Sequence, residues 1–260
     1  MSKNNNAYAK RLTRLASAYR DAEAAVVRAF FRKPRAKKDH LRWLRAQGFK
    51  EYSAIKPLIG ALTALYPGIG RGITRQDYAE LTEKLADETK HARLVMDLLE
   101  EIEGRKITPR DLTWLPQDRK LAKVRARYSK SFARLLHGSG KITSKEIKRK
   151  DQALERAAIT LTEGGGGALY QVCDKLKKRG IEGRIAKAFH EILLDEVEHI
   201  DSGGRALAAL IRDETSFRRA AKIVSEVCGQ RLRMRNEQFG FPLDEEEIAA
   251  NDRRALDTAS

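Results

Sequence analysis

One five-residue pattern occurs twice in this 260-residue chain, D-E-T-K-H at Asp87 to His91 and D-E-V-E-H at Asp195 to His199, each inside a long stretch with helical periodicity. Residues three apart share a helix face, so Glu88 stands beside His91 and Glu196 beside His199, a spacing at which each pair can chelate a metal ion. A single E-x-x-H would be unremarkable. The preceding Asp lowers the chance expectation to ~0.02 copies, which makes a chance pair of order one in several thousand. The repeat therefore favours folds that bring two long helices together at matching heights.

A two-metal site between four helices needs two further glutamates, one from the helix antiparallel to each E-x-x-H helix. Ligands at one height in a helical hairpin lie equally far from its turn, because each residue rises about 1.5 Å along either helix. Glu51 and Glu88 have their midpoint between Ile69 and Gly70, within the breaker-rich run from Pro67 to Gly72. Glu163 and Glu196 have theirs between Arg179 and Gly180, at the only Gly between two periodic runs. Pairing Glu155 with Glu196 would put the turn near Lys175, inside a helical pattern, and pairing Glu23 with Glu88 would put it near Ile55, without a glycine turn. The candidate ligands are therefore Glu51, Glu88, His91, Glu163, Glu196 and His199. Pro57 lies close behind Glu51 and calls for a kink or a later start of the regular helix. The competing reading makes these acids and imidazoles surface residues of charged helices, and the matched hairpin pairs weigh against it.

With these motifs, residues 40 to 212 resemble the ferritin-like di-iron carboxylate superfamily. The likeness is greatest to its oxygen-activating branch, which includes the ribonucleotide reductase small subunit, bacterial multicomponent monooxygenases and acyl carrier protein desaturases. The resemblance implies an all-α fold, a ferritin-like four-helix bundle, holding two iron ions or a manganese and iron pair. It also implies that Asp87 holds His199 and Asp195 holds His91, each across the opposite hairpin, so that a carboxylate sets the imidazole tautomer. The charge argument is independent of the family: four carboxylates balance two divalent cations, and a mixed carboxylate and imidazole set suits iron or manganese.

Glu163 is followed by Gly164, Gly165, Gly166 and Gly167. Each glycine inside a helix costs about 1 kcal/mol relative to Ala, so a helix through all four gives up several kcal/mol. Absent side chains would let a neighbouring helix approach or open a pocket beside the metals; the plainer alternative is a helix break. Hydroxylases and desaturases of the superfamily commonly carry a Thr one turn after the third glutamate, where this chain has Gly166 and Gly167. Tyr170 falls on the face of Glu163 and offers a phenol near the cluster, or a core tyrosine.

The net charge of +16 is unevenly spread. Residues 1 to 45 hold 13 Lys and Arg against 3 acids, and residues 105 to 150 hold 15 against 3. Residues 46 to 104 and 151 to 204 each hold 7 against 10. The basic regions carry apolar stripes, Tyr8, Leu12, Leu15, Tyr19, Ala22 and Val26 in one and Leu121, Val124, Tyr128, Phe132 and Leu135 in the other. Packed on the bundle, they would turn a cationic surface outward, with Arg125, Arg127 and Lys130 marking a place for an anionic partner such as RNA, an acidic carrier or a redox protein. A solvated basic face with no partner is the alternative. No apolar run is long enough to span a membrane, the first residues lack a secretory hydrophobic stretch, and Cys173 and Cys228 form no metal motif, so a cytoplasmic setting is expected. His190-Glu191 begins like a zinc protease motif, but Leu194 stands where its second His belongs.

The expected layout is a single domain over 1 to 240. It comprises a basic extension (1 to 38, with a helix over 6 to 31), a first hairpin (39 to 103) and a basic crossover (104 to 142, with a helix over 118 to 137). A second hairpin (143 to 212) and a final helix (216 to 238) follow, ahead of a solvated acidic tail (241 to 260). The function this suggests is an O2-dependent di-iron oxidase or oxygenase that takes electrons from a donor protein, with a homodimer allowed. The alternatives are a ferroxidase or rubrerythrin-like peroxide scavenger, and a nucleic-acid-associated helical protein stabilised by metal.

Overall fold

The computed structural model describes residues 3–70, 74–128, 150–177 and 179–258, without the side chains of 3–6, 150–152, 163–166 and 197–206. The described residues form helices and no strand: α1 (Lys3–Phe31), α2 (Lys37–Leu65), α3 (Arg75–Glu103), α4 (Pro116–Tyr128), α5 (Lys150–Asp174), α6 (Gly180–Leu210), α7 (Glu214–Gln238) and α8 (Glu245–Asp257), with short 3-10 turns at Tyr66–Gly68 and Pro109–Asp111. Among them no helix is long and apolar enough to cross a membrane.

Local chemistry sets the ends of several helices. Thr74 accepts from the Asp77 amide at 3.0 Å while Asp77 accepts from the Thr74 amide at 2.9 Å, a reciprocal cap that starts α3. Gly104, with φ +80, closes that helix in the left-handed conformation that glycine adopts without a Cβ penalty. Asp213 caps α7 in the same way as Thr74 caps α3, by accepting from the Ser216 amide at 2.8 Å.

The long helices make two hairpins, α2 with α3 and α5 with α6, which meet chiefly where α3 lies against α6. Around them α1 runs along α5 and α7, α4 packs on α7, and α8 lies along α1. Two apolar cores result. One gathers Leu12, Leu15, Leu121, Val124, Ala158, Leu161 and Val227; the other gathers Val26, Phe30, Trp43, Leu99, Leu169, Phe189, Leu232 and Phe239. Trp43 stacks on Phe239 with centroids 5.0 Å apart and meets Phe189 edge-on at 5.5 Å, tying α2 to α6 and to the end of α7.

Several differences from the expected layout have local causes. The helix expected within the basic extension is present and packs by its apolar stripe as expected, but it lies deeper than an added layer, with Leu12, Leu15, Val26 and Val27 all fully buried. The acidic tail contains α8: Asp244 and Glu247 cap each other's amides at 2.8 and 2.9 Å, and Ile248 and Ala255 are buried. Acids at that end favour the helix dipole, so the charge run promotes the helix instead of dissolving it. Pro57 lies inside α2 without ending it, and α5 runs through all four consecutive glycines without a break. The second connection lies between Asp174 and Gly180, so Gly180, with φ +57, opens α6 instead of marking the middle of the turn. The crossover helix is described as far as Tyr128; Phe132 and Leu135 lie outside the described residues.

Candidate metal centre

Glu88 and His91 occupy one face of α3, and that face turns toward α2. One oxygen each from Glu51 and Glu88 and one nitrogen of His91 all lie within 4.8 Å of one another, at the size of a metal coordination sphere. Glu51 is 5% exposed and His91 is fully buried. The approach of the two helices is close because Gly48, one turn before Glu51, has no side chain: a Cβ there would meet Leu112 Cδ2 at 3.0 Å and Val95 Cγ1 at 3.4 Å.

The two imidazole nitrogens of His91 have different surroundings. Nε2 lies 3.0 Å from Asp195 Oδ2, across from the other hairpin. Nδ1 is buried, has no hydrogen-bond partner and points toward Glu196, whose Oε1 is 3.8 Å away. A carboxylate at Nε2 fixes the proton there, which leaves the Nδ1 lone pair as the one available to a cation. Lys90 donates to both Asp195 oxygens, at 2.8 and 3.1 Å. Partial burial pushes the Asp195 carboxyl up, but the hydrogen bonds and charges of Lys90 and His91 outweigh it and hold the group below the usual carboxylate range.

Glu51 is oriented by two donors. Tyr170 donates its phenol to Oε1 at 2.9 Å, and Gln47, one helical turn earlier, donates Nε2 to the same oxygen at 2.5 Å. Burial, followed by the charges of Glu51, Glu196 and Glu88, pushes the Tyr170 phenol well above its ordinary pKa, so it remains a protonated donor. Gln47 is locked from the far side. Its Oε1 accepts from Gln238 Nε2 at 2.9 Å and from Arg235 at 3.3 Å, while Arg235 also pairs with Glu23 at 3.2 Å. A buried polar chain thus runs from Glu51 through Gln47 and Arg235 to Glu23, across the three helices α2, α7 and α1.

Of the six candidate ligands, Glu51, Glu88, His91 and Glu196 converge, the last through its approach to His91. The side chains of Glu163 and His199, and of Gly164, Gly165 and Gly166, lie outside the described residues, while Gly167 is buried. Asp87 is half-buried on α3, and its expected partner is His199. Nothing in the local sequence marks Lys90 or Arg235 as part of the site. Gln47 carries a faint signal, a polar residue one turn from a candidate ligand, whereas Arg235 and Glu23 are 212 positions apart and carry none. The basic surface is only partly as expected: Arg127 is exposed with a guanidinium nitrogen 3.9 Å from Glu226, Arg125 is half-buried, and Lys130 lies outside the described residues.

The donor set meets a simple test of fit. Three carboxylates and an imidazole with a buried, unpartnered lone pair suit a hard or borderline divalent cation, iron and manganese among them. No protein-family model, curated protein or solved structure matches the chain.

Proposed function

We propose that the chain is an O2-dependent oxidase or oxygenase with two iron ions, of the ferritin-like kind. The observation that carries this reading is His91, fully buried, with Asp195 of the opposite hairpin at Nε2 and an unpartnered Nδ1 facing carboxylates. A solvated charged face does not bury an imidazole in this way. Glu51, Glu88 and His91 would hold one ion, and Glu163, Glu196 and His199 are the expected ligands of the other. When bound, the iron pair would supply O2 activation and the oxidation of an organic substrate.

The protein groups have separate tasks. Asp195 keeps the His91 proton on Nε2, and Lys90 keeps Asp195 ionised. Tyr170 and Gln47 hold Glu51 against rotation. The packing around Trp43, Leu99, Leu169 and Phe189 excludes water from one side of the site. Such a cycle needs O2 and an electron-donor protein as partners.

Metal analysis of the purified chain tests the reading. Two iron equivalents are expected in the wild type, with loss of the pair in Glu88→Ala and Glu196→Ala. Full metal content in both variants would sink the ligand assignment. Aerobic addition of excess iron(II) should consume O2 without building a soluble mineral core, whereas a large mineral core would favour the ferroxidase alternative.

A further inference from the structure

Residues 52 to 70 carry one charge, Lys56, where a chain that is 34% charged would place about six in a stretch of that length. Within them Tyr52, Ile55, Ile59, Leu62 and Tyr66 stand alternately three and four residues apart, the spacing of a coiled-coil seam. Tyr52, Ile59 and Tyr66 are 43%, 50% and 67% exposed, and Ile55 and Leu62 are half-buried. Leu58 and Leu65, seven and fourteen residues after Glu51, share its face of α2, which turns toward α3. The distal half of α2 therefore has two apolar faces, and α3 occupies one of them.

We propose that the exposed seam pairs with the same seam of a second copy of this chain, giving a dimer about a two-fold axis near Ile59. This goes beyond the metal-centre reading and does not depend on it.

Depletion of charge together with exposed tyrosines is the composition of an interface core. An aromatic side chain buries about 150–250 Å², so the uncovered parts of Tyr52 and Tyr66, with that of Ile59, come to roughly 300 Å². A standard dimer interface takes about 800 Å² from each partner, of which roughly 450 Å² is apolar. With the uncovered parts of Ile55 and Leu62 the seam reaches that order, which supports a dimer of micromolar affinity.

The spacing specifies the partner. A seam of alternating three- and four-residue steps packs against a helix that carries the same seam over the same length. A two-fold axis at Ile59 supplies one: Tyr52 of each copy lies opposite Tyr66 of the other, because both stand seven residues from Ile59. The antiparallel order also keeps the two Lys56 residues about 9 Å apart along the helix axis, since each lies three residues from the two-fold. A lipid surface is a poorer match. The stretch is not apolar enough to cross a membrane, and it has neither Trp nor Phe to anchor it at one.

Sedimentation velocity of the full chain from about 1 to 100 µM tests the proposal, with a dimer expected at the upper end that dissociates on dilution. Ile59→Lys sets like charges against each other at the axis and should weaken association by about tenfold or more. Leu256→Lys, at an exposed leucine on α8, should leave association unchanged. Both native cysteines are buried, so Ile59→Cys adds the accessible thiol, and oxidation should give a covalent dimer that Leu256→Cys does not. That cross-link decides the question if circular dichroism shows Ile59→Lys to be unfolded. A wild type that is monomeric at about 100 µM, a folded Ile59→Lys with unchanged association, or no cross-link in Ile59→Cys would each overturn the proposal. So would a monomer that binds vesicles of phosphatidylcholine and phosphatidylglycerol and loses that binding in Ile59→Lys, since the occupant of the seam would then be lipid.

Discussion

Replacing Arg235 with Met should be among the most damaging single changes that leave the candidate ligands untouched. Arg235 is 1% exposed and Glu23 is fully buried, with 3.2 Å between Arg235 Nε and Glu23 Oε2. The other Glu23 oxygen already has no hydrogen-bond partner, so nothing nearby compensates for loss of the guanidinium. Breaking a buried pair from one side costs about 3–5 kcal/mol, a large share of the roughly 5–15 kcal/mol that stabilises a typical fold. Removing both charges in Glu23→Leu/Arg235→Met should recover most of that loss, because neither partner is left as an unpaired buried charge; a residual loss of about 1–3 kcal/mol remains, since Gln238 Oε1, which accepts from Arg235 at 2.6 Å, loses that donor. Urea unfolding at neutral pH, followed by far-UV circular dichroism, measures all three variants, and the double-mutant cycle isolates the coupling. A loss below about 1 kcal/mol in Arg235→Met, or additive losses in the double variant, would refute the argument that the pair is dry and mutually dependent.

Asp195→Ala should weaken metal binding by about 10- to 100-fold while leaving the fold intact, because His91 loses the carboxylate that sets its tautomer; unchanged affinity in a metal titration would count against that role. Ile248→Ala should cost about 2–5 kcal/mol in urea unfolding, since Ile248 is 1% exposed in α8, and a loss below about 0.5 kcal/mol would return that segment to the status of a tail. The Asp111 carboxyl is held below its usual range by Arg105 and Thr108, so it contributes stability above its unfolded pKa of about 4 and loses that contribution as pH falls toward the folded value. Asp111→Asn should therefore be less stable than the wild type at neutral pH, with the difference shrinking in acid; a difference independent of pH would contradict the assignment.

The helices and the first half of the candidate site were legible in the sequence because both depend on short-range periodicity. The three-residue spacing of Glu88 and His91 puts them on one face whatever surrounds α3, and the glycine-rich turn sets the height of Glu51. The apolar stripe from Leu12 to Val26 likewise announces a buried face, although not how deeply α1 enters the core. The α8 helix was legible in its reciprocal Asp244 and Glu247 cap, a signal outweighed in the reading by the run of acids.

What periodicity does not carry is which helix a given face meets. Pairing of Asp195 with His91, of Tyr170 with Glu51 and of Arg235 with Glu23 joins residues more than a hundred positions apart, and each depends on the rotation and height at which whole helices dock. Those variables are set by the summed packing of residues such as Trp43, Phe189 and Phe239, none of which signals its partner locally. The same holds for Arg231 and Arg235, which read as two more basic residues in a basic chain until α7 docks and buries both. Burial then changes their meaning, because a charge that costs little in water needs a polar partner once a neighbouring helix has displaced the solvent, the Thr162 carbonyl for the first and Glu23 for the second.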